Sequence, residues 1–155
     1  MKVDFDIFCK EGLHMRIAVI DGQGGGIGRA LCQELSQKLT PPHELIALGT
    51  NALATASMLR AGAHRGATGE NAVVRGARSA DVIVGPIAIA LSCSMLGELT
   101  EKMAAAVGES DAYRVLIPTE RCNTHVVGAG DRPLTALLQE AVSAVLAYVE
   151  NVGEI

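Results

Sequence analysis

Ile17-Ala-Val-Ile-Asp-Gly-Gln-Gly-Gly-Gly-Ile-Gly28 is the stretch from which the rest of the chain can be read. Ile17, Ala18, Val19 and Ile20 are apolar at every position, the pattern of a strand covered on both faces by helices. Five glycines then fall within the seven residues 22–28. Beyond them Ile27, Leu31, Leu35 and Leu39 recur every fourth residue, which predicts a helix with one apolar face. Strand, glycine turn and helix in that order form a corner where a ligand can approach the backbone closely, because glycine has no Cβ. The free N–H groups of the helix start, together with its dipole, favour an anion such as a phosphate. The expected contacts are Gly22, Gln23, Gly24, Gly25, Gly26, Ile27 and Gly28.

The spacing narrows the ligand. The dinucleotide fingerprint G-x-G-x-x-G fails in both registers, since its last position falls on Ile27 or on Arg29. No Lys-Ser or Lys-Thr follows, so the loop is not a Walker A. G-x-x-x-G-x-G does fit, as Gly22, Gly26 and Gly28. In this the loop resembles the cofactor loop of short-chain dehydrogenases, which implies a nucleotide or NAD(P)-like ligand. Their catalytic Tyr-x-x-x-Lys is absent: four residues after Tyr113 stands Ile117, and after Tyr148 stands Val152. Asp21 would repel a phosphate, and the point after the second strand, Leu48-Gly-Thr-Asn51, lacks an acid for a ribose hydroxyl. An alternative stays open, in which the Asp21 carboxylate caps loop N–H groups and the glycines serve close packing alone.

With 155 residues the chain suits one domain with its own core. The apolar half is mostly Ala, Val, Leu and Ile, with two Phe, two Tyr and no Trp. So few aromatics argue against a base-stacking surface, and a net charge of −4 disfavours binding to a phosphate backbone. No nucleic-acid partner is expected. Much apolar surface in a small chain predicts a homo-oligomer. Cys9, Cys32, Cys93 and Cys122 form no C-x-x-C pair and no signal peptide precedes them, so they read as reduced thiols of a cytoplasmic protein. No metal site is expected. The apolar run from Val82 to Leu96 is too short to span a membrane.

Residues 1–14 differ in pattern from the remainder of the chain and read as an N-terminal extension from an upstream start or added residues; if native, Val3 to Phe8 alternates like an edge strand. Residues 15–155 are then one Rossmann-like domain. Its expected strands after the first are Glu44 to Leu48, Asp81 to Val84, Tyr113 to Ile117 and, with its direction left open, His125 to Gly128. Helices are expected after the glycines, from Asn51 to Gly62, over 70–79, from Cys93 to Val107 with Gly108 closing it, and from Pro133 onward. Residues 63–69 read as a loop. The last helix is the clearest, with Leu134, Leu137, Leu138, Ala141, Val142, Val145, Leu146 and Val149 at three-four spacing.

Strands alternating with helices predict an α/β, doubly wound, mainly parallel sheet of about five strands in the order 3-2-1-4-5. Its carboxyl rim gathers the Gly22–Gly28 loop, Thr50, Asn51, Gly85 and residues 118–125. Two basic or polar clusters remain. The four arginines and His64 within 60–78 read first as a solvated surface. Thr119 to His125 offers a thiol, an imidazole, a carboxylate and a guanidinium in seven residues. The segment reads first as a loop whose side chains hydrogen-bond to backbone or to a subunit partner; on the catalytic alternative Asp21 would act as base or hold a metal ion, and Cys122 or His125 would act as nucleophile, acid or metal ligand. Cys93 reads as a buried thiol at a helix start.

Asp21-Gly-Gln-Gly-Gly-Gly26 resembles the signature of a small bacterial family of uncharacterised proteins, the domain-of-unknown-function family 3842, over nearly everything after residue 14. The resemblance implies a compact Rossmann-like fold and no site residues. Three functions compete. The first is a sensing or regulatory module that binds a nucleotide or other phosphorylated small molecule at the glycine corner. The second is a small enzyme pairing Asp21 with the Arg121–His125 segment. The third is a structural subunit whose glycine loop packs against a neighbour.

Overall fold

The computed structural model describes residues 13–120 and 123–152. The chain runs β1 (Arg16–Asp21), α1 (Gly26–Lys38), β2 (Glu44–Gly49), α2 (Ala52–Arg60), β3 (Arg65–Thr68), α3 (Glu70–Ser79), β4 (Val82–Pro86), two short 3-10 turns, α4 (Glu101–Glu109), β5 (Tyr113–Ile117) and α5 (Leu134–Val152). The sheet order is β3-β2-β1-β4-β5, with every neighbouring pair parallel. This is the doubly wound arrangement expected.

Two of the strands are not those expected. Residues 65–68, read as loop, form the edge strand β3 beside β2. All four are exposed, so no apolar alternation marks them. The segment 82–86 therefore counts as the fourth strand and lies beside β1. Residues 125–128 form no strand, and the sheet ends at β5. The proposed edge strand at 3–8 lies outside the described residues.

Alternation along β1 divides the core. Ile17 and Val19 face a layer built from α1, α2 and α5, where Leu31, Leu35, Met58, Val142 and Val145 pack. Ala18 and Ile20 face the layer of α3 and α4, with Val73, Ile89, Leu99 and Val107. Each such buried aliphatic side chain contributes about 1.5–3 kcal/mol, and the full burial of both faces is what the unbroken apolar run of β1 requires.

The helix expected from Cys93 starts later, at Glu101. Cys93, Met95 and Leu96 have φ of 62°, 56° and 56°, and Gly97 has 89°, all outside helical space. Thr100 caps α4 instead, its hydroxyl accepting from the Met103 N–H at 3.2 Å. Gly108 lies inside α4, which Ser110 ends.

Candidate functional site

The order reverses between β1 and β4, and ligands of such sheets sit outside the carboxyl ends of the strands at that point. Asp21 ends β1 there. One of its carboxylate oxygens accepts from the Gly22 N–H at 2.8 Å and the other from the Gly28 N–H at 2.7 Å. The side chain is thus folded under the loop and is 5% exposed. Burial pushes its carboxyl above the ordinary aspartate value; the Gly28, Gly22 and Ile27 N–H groups pull against that, and the nearby Glu98 charge adds to it. The capping role considered for Asp21 is the one its oxygens adopt.

Above the carboxylate the chain makes a tight turn. The Gly25 N–H donates to the Gly22 carbonyl at 2.9 Å, and the Arg29 N–H donates to the Gly25 carbonyl at 2.8 Å as α1 begins. Gly25 has φ 69°, and a Cβ there would stand 2.9 Å from Ala54 Cα, so only glycine fits. A Cβ on Gly22 would reach 2.4 Å from Thr50 Oγ1, and one on Gly28 2.5 Å from Met58 Sδ. Gly24 and Gly26 are different: a Cβ on either meets nothing within 4 Å. Three glycines serve packing. Two leave bare backbone facing a cleft of about 500 Å³.

That cleft is walled by residues 21–27, by Pro86 and Ala88 after β4, by Met95 and Leu96, by Thr119 after β5 and by Leu134 at the start of α5. Among the described residues no lysine, arginine or histidine lines it.

Glu98 ties the corner together and was not singled out from the sequence. One of its carboxylate oxygens accepts from the Gln23 N–H at 2.9 Å, the Thr50 hydroxyl at 2.5 Å and the Asn51 amide at 2.6 Å. Burial pushes this carboxyl up, but the donors from Thr50, Asn51 and Gln23 outweigh it and hold it below the ordinary glutamate value. The signal that marks it is Thr100: a helix capped there leaves Glu98 in the rim loop rather than on a helix face.

Thr50 and Asn51 stand at the rim but are turned to the protein. Asn51 caps α2, accepting from the Ala54 N–H at 2.9 Å, and its amide donates to the Gln23 carbonyl at 2.9 Å. Gly85 is buried in β4, where a Cβ would be 2.3 Å from the Ile20 carbonyl oxygen. Gly28 and these three do not line the cleft. His125 lines an adjoining cleft of about 310 Å³ that shares Thr119 with the first. Its Nδ1 is 4.0 Å from the Glu120 carboxylate, both side chains being exposed. Asp21 and His125 therefore do not face each other across one cleft. Arg121 and Cys122 lie outside the described residues.

The remaining thiols differ from expectation. Cys93 is exposed and sits in a turn, not buried at a helix start, because the helix begins eight residues later. Cys32 is buried on α1, and burial, with the Asp21 charge, pushes its thiol up to about 12, which keeps it protonated. No group of three or more His, Cys, Asp or Glu among the described residues is placed to hold a metal ion. No described helix is long and apolar enough to cross a membrane.

The chain is similar in fold to a dodecameric FMN-dependent Ubix-like decarboxylase from Escherichia coli O157:H7, with a TM-score of 0.48 and 14% identity over 88% of this chain and 93% of that one. No curated protein matches it. The model of one protein family matches residues 16–150, which include the whole glycine corner and all five strands, and the chain belongs to that family, the Domain of unknown function (DUF3842).

Proposed function

We propose that the cleft over the glycine corner binds a nucleotide or another phosphorylated small molecule, and that the protein senses or regulates rather than catalyses. The observation that carries this reading is the bare backbone of Gly24 and Gly26, which opens into a 500 Å³ cleft at the start of α1. Backbone N–H groups at a helix start attract an anion, and the volume matches a small-molecule site. A regulatory role is favoured over catalysis because the Asp21 oxygens are taken up by loop N–H groups and His125 faces the adjoining cleft. Residues 15–155 act as one domain in this reading, supported by the packing of both helix layers on a single sheet, and the proposed location is the cytoplasm. Exposed Leu53 and Val127, away from the cleft lining, support a homo-oligomer.

The test is a thermal-shift screen of the full chain against nucleotides, dinucleotides of the NAD(P) type and sugar phosphates, with and without magnesium. A ligand that binds the folded state raises the melting temperature by mass action. The Gly26→Val variant places its side chain in the open cleft, so it should fold normally and lose the shift. A screen with no shift for any compound overturns the reading.

A further inference from the structure

The sheet ends at β3 on one side and at β5 on the other, and among the described residues no further strand joins either. Such an edge is a row of N–H and C=O groups ready to pair with another chain.

The topology turns the charge order of the sequence into a spatial one. Residues 15–80 carry β1, β2 and β3 with their helices, and they hold seven basic side chains against four acidic ones. Residues 81–155 carry β4, α4, β5 and α5, and they hold four basic against ten acidic. Arg114, on β5 itself, is turned inward, its guanidinium donating to the Val107 and Ser110 carbonyls at the end of α4. The half of the molecule that ends at β3 is therefore positive, and the half that ends at β5 is negative.

Each edge also shows an apolar side chain. Leu59 of α2 lies over β3, where a Cβ on Gly66 would come 2.9 Å from its Cδ1, and it is 39% exposed. Tyr113 of β5 stacks on Tyr148 of α5 with ring centroids 4.3 Å apart, and it is 41% exposed. A stacked ring is a rigid contact surface.

The layers match as well. Setting β3 of one copy beside β5 of another, strands parallel, continues the sheet with α2 and α5 in one layer and α3 and α4 in the other. The exposed Arg75 and Arg78 of α3 then share a layer with the exposed Glu109 that ends α4, two residues before Asp111. A two-fold axis would instead set β3 on β3 or β5 on β5, like charge against like, which opposes association.

We infer that copies of this chain associate head to tail, the β3 edge of one seated against the β5 edge of the next, with Leu59 against Tyr113 and the arginines of α3 facing Glu109 and Asp111. The inference rests on the reading of the protein as a homo-oligomer and is independent of any ligand. A contact between two different faces closes only as a ring of three or more copies, or grows as an open chain.

Sedimentation velocity of the full chain tests it, on the wild type, on Arg75→Glu with Arg78→Glu, and on Glu109→Lys with Asp111→Lys. All four positions are exposed, so both variants should melt near the wild-type temperature. The wild type should sediment as three or more copies and shift to smaller species in about 1 M sodium chloride, where exposed charges are screened. Each variant, with like charge on both edges, should be smaller than the wild type. An equimolar mixture of the two should return to the wild-type size, because each then offers the other edges of opposite sign. Glutamine at the same positions replaces a reversal that fails to fold, and should shift the size in the same direction by less. A wild-type dimer, an oligomer indifferent to both reversals, or a mixture that stays apart overturns the head-to-tail contact and leaves the homo-oligomer reading standing. A wild type that is monomeric at every concentration overturns both.

Discussion

The glycine corner after β1 and the polar run after β5 leave the same rim of the sheet, and both carry the residues of a plausible site. They are held in opposite ways. In the corner, Asp21 and Glu98 accept five hydrogen bonds between them from Gly22, Gly28, Gln23, Thr50 and Asn51, and three of the five glycines are packed against neighbours. In the polar run, Glu120 and His125 are exposed, 4.0 Å apart. A Cβ on Gly128 or Gly130 would touch nothing within 4 Å. A binding site needs groups fixed before the ligand arrives. Reactive residue types alone do not supply that, and the chemically plainer segment is the better-built one.

The largest effect should come from removing the corner's internal anchor. Asp21→Ala strands two loop N–H groups in a buried place, and it should cost about 2–4 kcal/mol in urea unfolding. A loss below about 1 kcal/mol would mean that the turn holds itself without the carboxylate, and the contrast with the polar run would collapse.

Glu98→Gln should cost less, about 1 kcal/mol at neutral pH, since the amide oxygen keeps part of the acceptor role and Glu98 is only partly buried. Its sign with pH sharpens the comparison. The folded carboxyl sits below the ordinary glutamate value of 4.5, so its stabilisation is present above that value and is lost as pH falls through the folded one. The stability gap between wild type and Glu98→Gln should therefore close on acidification below 4.5. A gap that stays constant to lower pH would show that the carboxylate charge is not what the three donors recognise.

The smallest effect is expected in the polar run. His125→Ala should change stability by no more than about 0.5 kcal/mol, because an exposed and loosely paired side chain contributes little. It should also leave the ligand-induced shift at the corner intact. A drop in that shift would bring the two clefts into one site.

Much of this architecture is legible in local sequence. Residues 17–20 could only be a strand covered twice, and the three-four spacing of α5 could only be an amphipathic helix. Residues 65–68 could not be read that way. Arg65, Gly66, Ala67 and Thr68 carry no apolar pattern, and they become a strand because β2 offers them a parallel partner. The opposite error occurs at 125–128, where Val126 and Val127 look like a strand but no neighbour pairs with them. The apolar positions of 93–107 imitate a helix throughout, although the first of them form a turn that faces the cleft.

The same division holds in the site. Periodicity and glycine content determine the strand, the helix and the open corner, because these depend on residues within one or two turns of each other. The Asp-Gly turn leaves capping of the loop by the carboxylate at position 21 open as one of two readings. Which glycines are packed and which are bare, and that Glu98 reaches back 75 residues to Gln23, depend on contacts between distant segments. Such contacts exist only after the sheet has brought the carboxyl ends of β1, β2 and β4 side by side.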